Sequence, residues 1–153
     1  MLIIPQRIVD AMFAHGLKEK PYECCGFLGA KGRQVKVMIP VPNADRSTMT
    51  FSIAAQPTEY AYRRIEEAGM EVVCIFHSHT ESSPIPSIAD VVQADRSIAS
   101  MDPDFRWIIM GLRDPDKPLM HAYRIVGHDY QETGIEIVER LGNSLRVGSV
   151  CAN

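Results

Sequence analysis

The chain has 153 residues, 46% of them hydrophobic and 23% charged, and a formal net charge of −3. That length suits one domain, long enough to bury roughly two thirds of the surface its unfolded chain exposes. The composition is that of an ordinary soluble globular protein, and 16 basic against 19 acidic residues gives no sign of a nucleic-acid or acidic-membrane partner. The apolar run Leu2–Ile4 is too short for a signal peptide, and no segment approaches the length of a membrane span, so the expected location is cytoplasmic.

Taken in order, Leu2–Ile4 reads as a short strand, and Pro5 opens a helix whose Ile8, Val9, Met12 and Phe13 recur at helical spacing. Gly16 is placed to end that helix. Pro21–Gly29 reads as a strand broken by glycines, with Glu23, Cys25 and Phe27 facing one way and Cys24 and Gly26 the other. Glu23 on such a face sits either in water at the strand's mouth or inside a polar site. Lys31-Gly32 predicts a hairpin turn into a strand over Gln34–Val41.

Pro42–Thr48 is turn-forming and precedes a predicted short strand at Met49–Ile53. Pro57 opens a second helix, with Tyr60, Ala61, Arg64, Ile65 and Ala68 on one face and Gly69 as its stop. Glu71–Phe76 is a β-branched apolar run that reads as a buried strand. A third helix is predicted from Ser87 to about Ser100, with Ile88, Val91, Val92 and Ile98 as its apolar stripe. Strands follow at Phe105–Gly111, Leu119–Val126 and Gly134–Glu139, and the tail after Gly142 is expected to be weakly ordered. The pattern is an α/β or α+β sheet covered by about three helices, in a single domain over residues 1–141 with a tail at 142–153.

Cys24, Cys25, Cys74 and Cys151 form no C-x-x-C pair, and adjacent Cys24 and Cys25 would bridge only with severe strain. The three in predicted strands are expected to be reduced core residues, and a cysteine-rich structural zinc site is not supported.

The chemistry gathers around His77 to Asp90. Successive strand side chains point to opposite faces, so His77 and His79 share one face. A bare His-x-His pair is equally compatible with one packed and one solvated histidine. Seven residues, stiffened by Pro84 and Pro86, lead from His79 to Ser87-Ile-Ala-Asp90. Ser87 and Asp90 then lie on one helical face, although Ser-x-x-Asp is also a plain capping box. Two imidazoles and a carboxylate suit zinc, and three protein ligands leave a fourth position open for water. Such a site needs a proton carrier and an oxyanion donor, for which Glu23 and the Ser87 hydroxyl are the candidates.

Glu23, then His77-Ser78-His79, seven residues and Ser87-Ile88-Ala89-Asp90, resembles the motif of the JAMM (MPN+, JAB-domain) metalloprotease family. Pro21-x-Glu23-x-Cys25-Gly26-x-Leu28-Gly29 is similar to the strand carrying that family's glutamate, and Asn43 with Phe51 resembles its next landmark. The resemblance runs from the first strand through Val138. It implies a mixed curved sheet flanked by helices, layered as in cytidine deaminases, and one zinc ion held by His77, His79 and Asp90. It implies Glu23 as general base and acid and Ser87 as an oxyanion donor. The implied reaction is hydrolysis of the amide bond after the C-terminal Gly-Gly of a ubiquitin-like protein.

The similarity is to the short prokaryotic members, of the CysO-cysteine hydrolase or desampylase type, acting on sulfur carriers to release cysteine or a protein lysine. A non-catalytic scaffold of this fold would be expected to lack ligands. RadC-type DNA-repair proteins usually read His-Asn-His-Pro-Ser-Gly where this chain has His77-Ser-His-Thr-Glu-Ser82, and a zinc deaminase needs a Pro-Cys-x-x-Cys pair that is absent. His15, His121 and His128 have no assigned part, and the oligomeric state is open.

Overall fold

The computed structural model describes residues 1–97, 101–141 and 144–149. In chain order the elements are β1 (Leu2–Pro5), α1 (Gln6–Glu19), β2 (Cys25–Lys31), β3 (Gln34–Val41), α2 (Ala55–Glu67) and β4 (Glu71–His79). They continue as α3 (Ile88–Asp95), β5 (Arg106–Gly111), β6 (Leu119–Val126), β7 (Asp129–Thr133), β8 (Ile135–Leu141) and β9 (Ser144–Ser149). The strands form one mixed sheet in the order β7-β6-β5-β4-β2-β3-β1-β8-β9. Pairing is parallel for β1 with β3, β1 with β8, and β4 with β5, and antiparallel elsewhere.

Alternation along the central strands divides the core between the two faces of the sheet. Leu28, Cys74, Phe76, Ile108 and Met110 pack with Ile8, Val9 and Met12 of α1. On the opposite face Phe27 packs with Ala61 and Ile65 of α2, and Trp107, Ile109 and Tyr123 pack with Val91 and Ala94 of α3. The result is one helix on one face and two on the other, as the α/β reading requires. Cys24, Cys25 and Cys74 are buried free thiols, and burial pushes all three well up, Cys24 to about 11. They are core residues, in agreement with the sequence.

Four local expectations are corrected. Gly16 does not end α1, which runs on to Glu19. It is instead a close-approach position, where an added Cβ would meet Leu112 Cδ1 at 2.7 Å. Met49–Ile53 forms no strand, because the turn that contains it is organised by the Asn43 side chain rather than by a ladder. In α3 the inward residues are Asp90, Val91 and Ala94, while Ile88 is 86% exposed; the predicted end near Ser100, and Ile98, lie outside the described residues. The strand expected to carry Glu23 begins only at Cys25, so Glu23 precedes β2.

Gly69, by contrast, does stop its helix, with φ at +74°, a left-handed conformation glycine adopts without a Cβ clash. Strand β7 (Asp129–Thr133) has no counterpart among the elements expected from the sequence. Of the tail 142–153, Ser144–Ser149 form β9 against β8, and its other residues lie outside those described. No helix of the described residues is long and apolar enough to cross a membrane.

Candidate metal centre

β4 extends three residues past Phe76, so both histidines lie on the strand itself, with side chains on the face that carries α2 and α3. Ser87 is the N-cap of α3. Its Oγ accepts from the Asp90 N–H at 3.1 Å, and the Asp90 carboxylate accepts from the Ser87 N–H at 2.9 Å. The capping box therefore exists, and it fixes the rotamer of the acid it contains. Pro84 lies over Gly111, where an added Cβ would come within 2.9 Å of the proline Cδ, and the Tyr123 hydroxyl donates to the Pro84 carbonyl at 2.6 Å. These contacts pin the connecting loop to the sheet and deliver the helix start to the strand end.

The two readings of Ser87-x-x-Asp90 thus coincide. Asp90 Oδ1 lies 3.2 Å from His77 Nε2, Oδ2 lies 3.0 Å from His79 Nε2, and the two Nε2 atoms are 3.3 Å apart. All three side chains are buried. Four ligands around a zinc ion, with bonds of about 2.0–2.1 Å, stand about 3.3 Å from one another. The donor atoms of His77, His79 and Asp90 already hold that spacing, so the set fits a tetrahedral metal with one position left over.

Neighbouring groups hold both rings in place. His79 Nδ1 faces the Ser83 carbonyl at 2.8 Å, and the tautomer that donates there leaves the Nε2 lone pair free to coordinate. His77 stacks on Phe51 with ring centroids 4.3 Å apart. Its Nδ1 is buried without a partner. Burial presses His77 towards the neutral form. For His79 burial acts the same way but is outweighed by Asp90 and the Ser83 carbonyl, which raise its pKa. Burial alone would raise the Asp90 pKa too, yet hydrogen bonds with both histidines hold its carboxyl well below the usual carboxylate range. Asp90 is thus an anion between two imidazoles.

Glu23 enters from the segment that leads into the neighbouring strand, β2. In the β2–β4 ladder Cys25 pairs with His77. The Ser78 N–H donates to the Cys24 carbonyl, so the register continues past the end of β2 and sets Glu23 opposite His79. Glu23 is 4% exposed, and its Oε1 is buried with no hydrogen-bond partner. Burial pushes its pKa up to about 8, with Asp90 and Asp45 adding to the shift and His79 opposing it. A buried carboxyl near neutrality, beside a ligand set, has the properties of a proton carrier. Asn43 donates to the Glu23 carbonyl at 3.1 Å, which gives the landmark asparagine a physical task.

All five residues marked in the sequence converge. What the sequence did not mark are the Ser83 carbonyl on His79 and the Ser78 hydroxyl on Cys24. The position of Ser78 between the two histidines, facing the other way, was the available signal for the second. His121 pairs with Glu132, His128 is exposed, and neither belongs to the ligand group; His15 lines a cleft beside Glu23.

Residues 5–126 match the family described as prokaryotic homologs of the JAB domain. The chain belongs to that family. Over 142 residues, 92% of this chain and 93% of the relative, it is 32% identical to the CysO-cysteine peptidase of Mycobacterium tuberculosis. It is 33% identical over 96 residues, 61% of this chain and 64% of the relative, to a probable TtuB-protein conjugate cleaving protease of Thermus thermophilus. Among solved structures it resembles one described as JAMM, a metalloprotease-like zinc site in the proteasome and signalosome, at a TM-score of 0.57 and 17% identity, covering 91% of this chain and 99% of that one. That likeness establishes the JAB fold. The ligand geometry is this chain's own.

Proposed function

We propose that this JAB-domain protein is a zinc-dependent peptidase that hydrolyses the amide bond after the C-terminal Gly-Gly of a ubiquitin-like carrier protein. The observation that carries the reading is the Asp90 carboxylate set between two imidazole Nε2 atoms at 3.2 and 3.0 Å, with the buried Glu23, whose Oε1 has no hydrogen-bond partner, on the segment leading into the adjacent strand. The similarity to peptidases named for CysO and TtuB supports the substrate class.

In this reading His77, His79 and Asp90 hold one zinc ion. Bound there, zinc would acidify a water molecule and polarise the scissile carbonyl. Glu23, buried beside His79 and Asp90, would take the proton from that water and later give it to the leaving nitrogen. The Ser87 hydroxyl donates to the developing oxyanion, while its other engagement is as acceptor from the Asp90 N–H. The carrier's tail lies extended along a strand edge, where glycines let the backbone approach. The location assigned is the cytoplasm, in which Cys24, Cys25 and Cys74 stay reduced.

The test pairs metal analysis with hydrolysis. The purified protein should hold close to one zinc per chain and cleave a carrier ending in Gly-Gly from an amide-linked amine. Glu23→Gln should keep the zinc and lose nearly all turnover. Wild-type turnover in that variant would remove Glu23 from the mechanism.

A further inference from the structure

The turn between β3 and α2 presents an arginine that the chemistry above does not use. Arg46 is the residue other than glycine with positive φ among the described residues, at 46°. A long side chain adopts that conformation only where its surroundings enforce it. Here the enforcement comes from Glu23. The Arg46 N–H donates to the Asn43 carbonyl at 3.1 Å, Asn43 Nδ2 donates to the Glu23 carbonyl at 3.1 Å, and the Glu23 N–H donates to the Ser47 carbonyl at 2.9 Å. The turn is thus fastened to the Glu23 backbone on both sides of Arg46. The guanidinium itself has no ion-pair or hydrogen-bond partner among the described residues.

Arg46 and Glu23 line the same cleft, of about 630 Å³, together with His15, Tyr22 and Pro42. A second cleft, of about 610 Å³, is lined by Phe51, Ile88 and Asp90 and does not include Glu23. The chemistry assigns the two. Hydrolysis joins the water oxygen to the carbonyl carbon and breaks the C–N bond, and one water proton travels through Glu23 to the departing nitrogen. Where Glu23 protonates the departing nitrogen, the cleft that Glu23 lines is the one that can hold what the nitrogen carries, and the cleft lined by Asp90 is left for the carrier.

Two kinds of leaving amine differ in what stands next to that nitrogen. An α-amino acid bears a carboxylate one carbon away, whereas a lysine side chain bears four methylenes. A guanidinium is a fork matched to a carboxylate, and an unpaired one has no competing anion to surrender. Glu19 and Glu23 line the same cleft, in which Arg46 is the arginine or lysine among the lining residues.

We infer that the Glu23-side cleft is the leaving-group site and that Arg46 receives the α-carboxylate of an amino acid. The protein then prefers carrier–amino acid amides to lysine isopeptides. This rests on the assignment of Glu23 as the group that protonates the leaving amine.

The test uses CysO, the carrier in the relative's name, amide-linked through its C-terminus either to cysteine or to cysteamine, which differ only in the carboxylate. For the zinc-loaded wild type, kcat/KM should favour the cysteine adduct. Arg46→Ala should cut the cysteine-to-cysteamine ratio about 10- to 100-fold, mainly through KM, and Arg46→Lys should restore part of it. In a Glu23→Gln background, which does not turn over, Arg46→Ala should weaken binding of the cysteine adduct at least about 10-fold by calorimetry. A ratio and a Kd untouched by Arg46→Ala would overturn the assignment of Arg46. A wild type that cleaves neither adduct would instead count against the proposed function, so the two failures are distinct.

Discussion

Ser78 and Cys24 hold each other by two hydrogen bonds, Ser78 Oγ accepting from the Cys24 N–H at 2.8 Å and the Ser78 N–H donating to the Cys24 carbonyl at 3.1 Å. Ser78 stands between the two histidines and points to the face of α1, and Cys24 follows the glutamate. The pair therefore joins the ligand strand to the proton carrier, just beyond the point where β2 is regular.

Ser78→Ala leaves the buried Cys24 N–H without its side-chain partner. The expected loss of stability is about 1–3 kcal/mol by chemical denaturation. Zinc content should stay near one per chain while kcat/KM falls about 10-fold or more, because Glu23 is displaced and the ligands are not. Loss of zinc together with activity would place Ser78 in support of the histidines instead.

Glu23 makes the metal-free protein sensitive to alkali. Its folded pKa is raised from 4.5 to about 8, chiefly by burial. The folded state thus binds a proton that the unfolded chain releases between those values, so the stability it contributes is complete below about 4.5 and lost as pH rises through about 8. In the presence of chelator, Glu23→Gln should lose less stability than wild type between pH 5 and pH 9, a difference on the order of a few kcal/mol. Parallel stability curves for the two proteins would contradict the buried placement.

Metal binding should raise the melting temperature. A ligand at about 1,000 times its Kd stabilises by about 4 kcal/mol, or roughly 10 °C in a chain of this size. Zinc added to chelated protein should give a rise of that order by calorimetry. Asp90→Asn keeps an oxygen for the Ser87 N–H but removes the charge between the imidazoles, so most of the rise should vanish while the metal-free protein still folds.

Ser87 has two tasks that glycine and alanine separate. Ser87→Ala removes the N-cap at a cost of about 1 kcal/mol, whereas glycine at an N-cap costs only a few tenths. Both remove the hydroxyl. If Ser87 serves the oxyanion, kcat should fall by a similar factor in the two variants, on the order of 100-fold, while only alanine lowers the melting temperature appreciably. A kcat that tracks stability across the pair would reduce Ser87 to a cap.

The sequence alone determined what local geometry governs. Period two along Glu71–His79 places His77 and His79 on one face, and the spacing of Ser87 and Asp90 writes a capping box at the start of α3. Residues governed by packing or by distant partners were read less well: Gly16 as a stop, Ile88 as buried, and Met49–Ile53 as a strand. Each depends on something absent from its own segment, namely Leu112 across the core, the solvent at the helix start, and the Asn43 side chain in the turn. Tertiary structure decided the site itself. Only the β2–β4 register sets Glu23 opposite His79, and only the loop pinned at Pro84 brings Asp90 between two imidazoles. Those are pairings between segments far apart in the chain, and no spacing within either segment specifies them, because register and docking are fixed by the packing of the whole sheet.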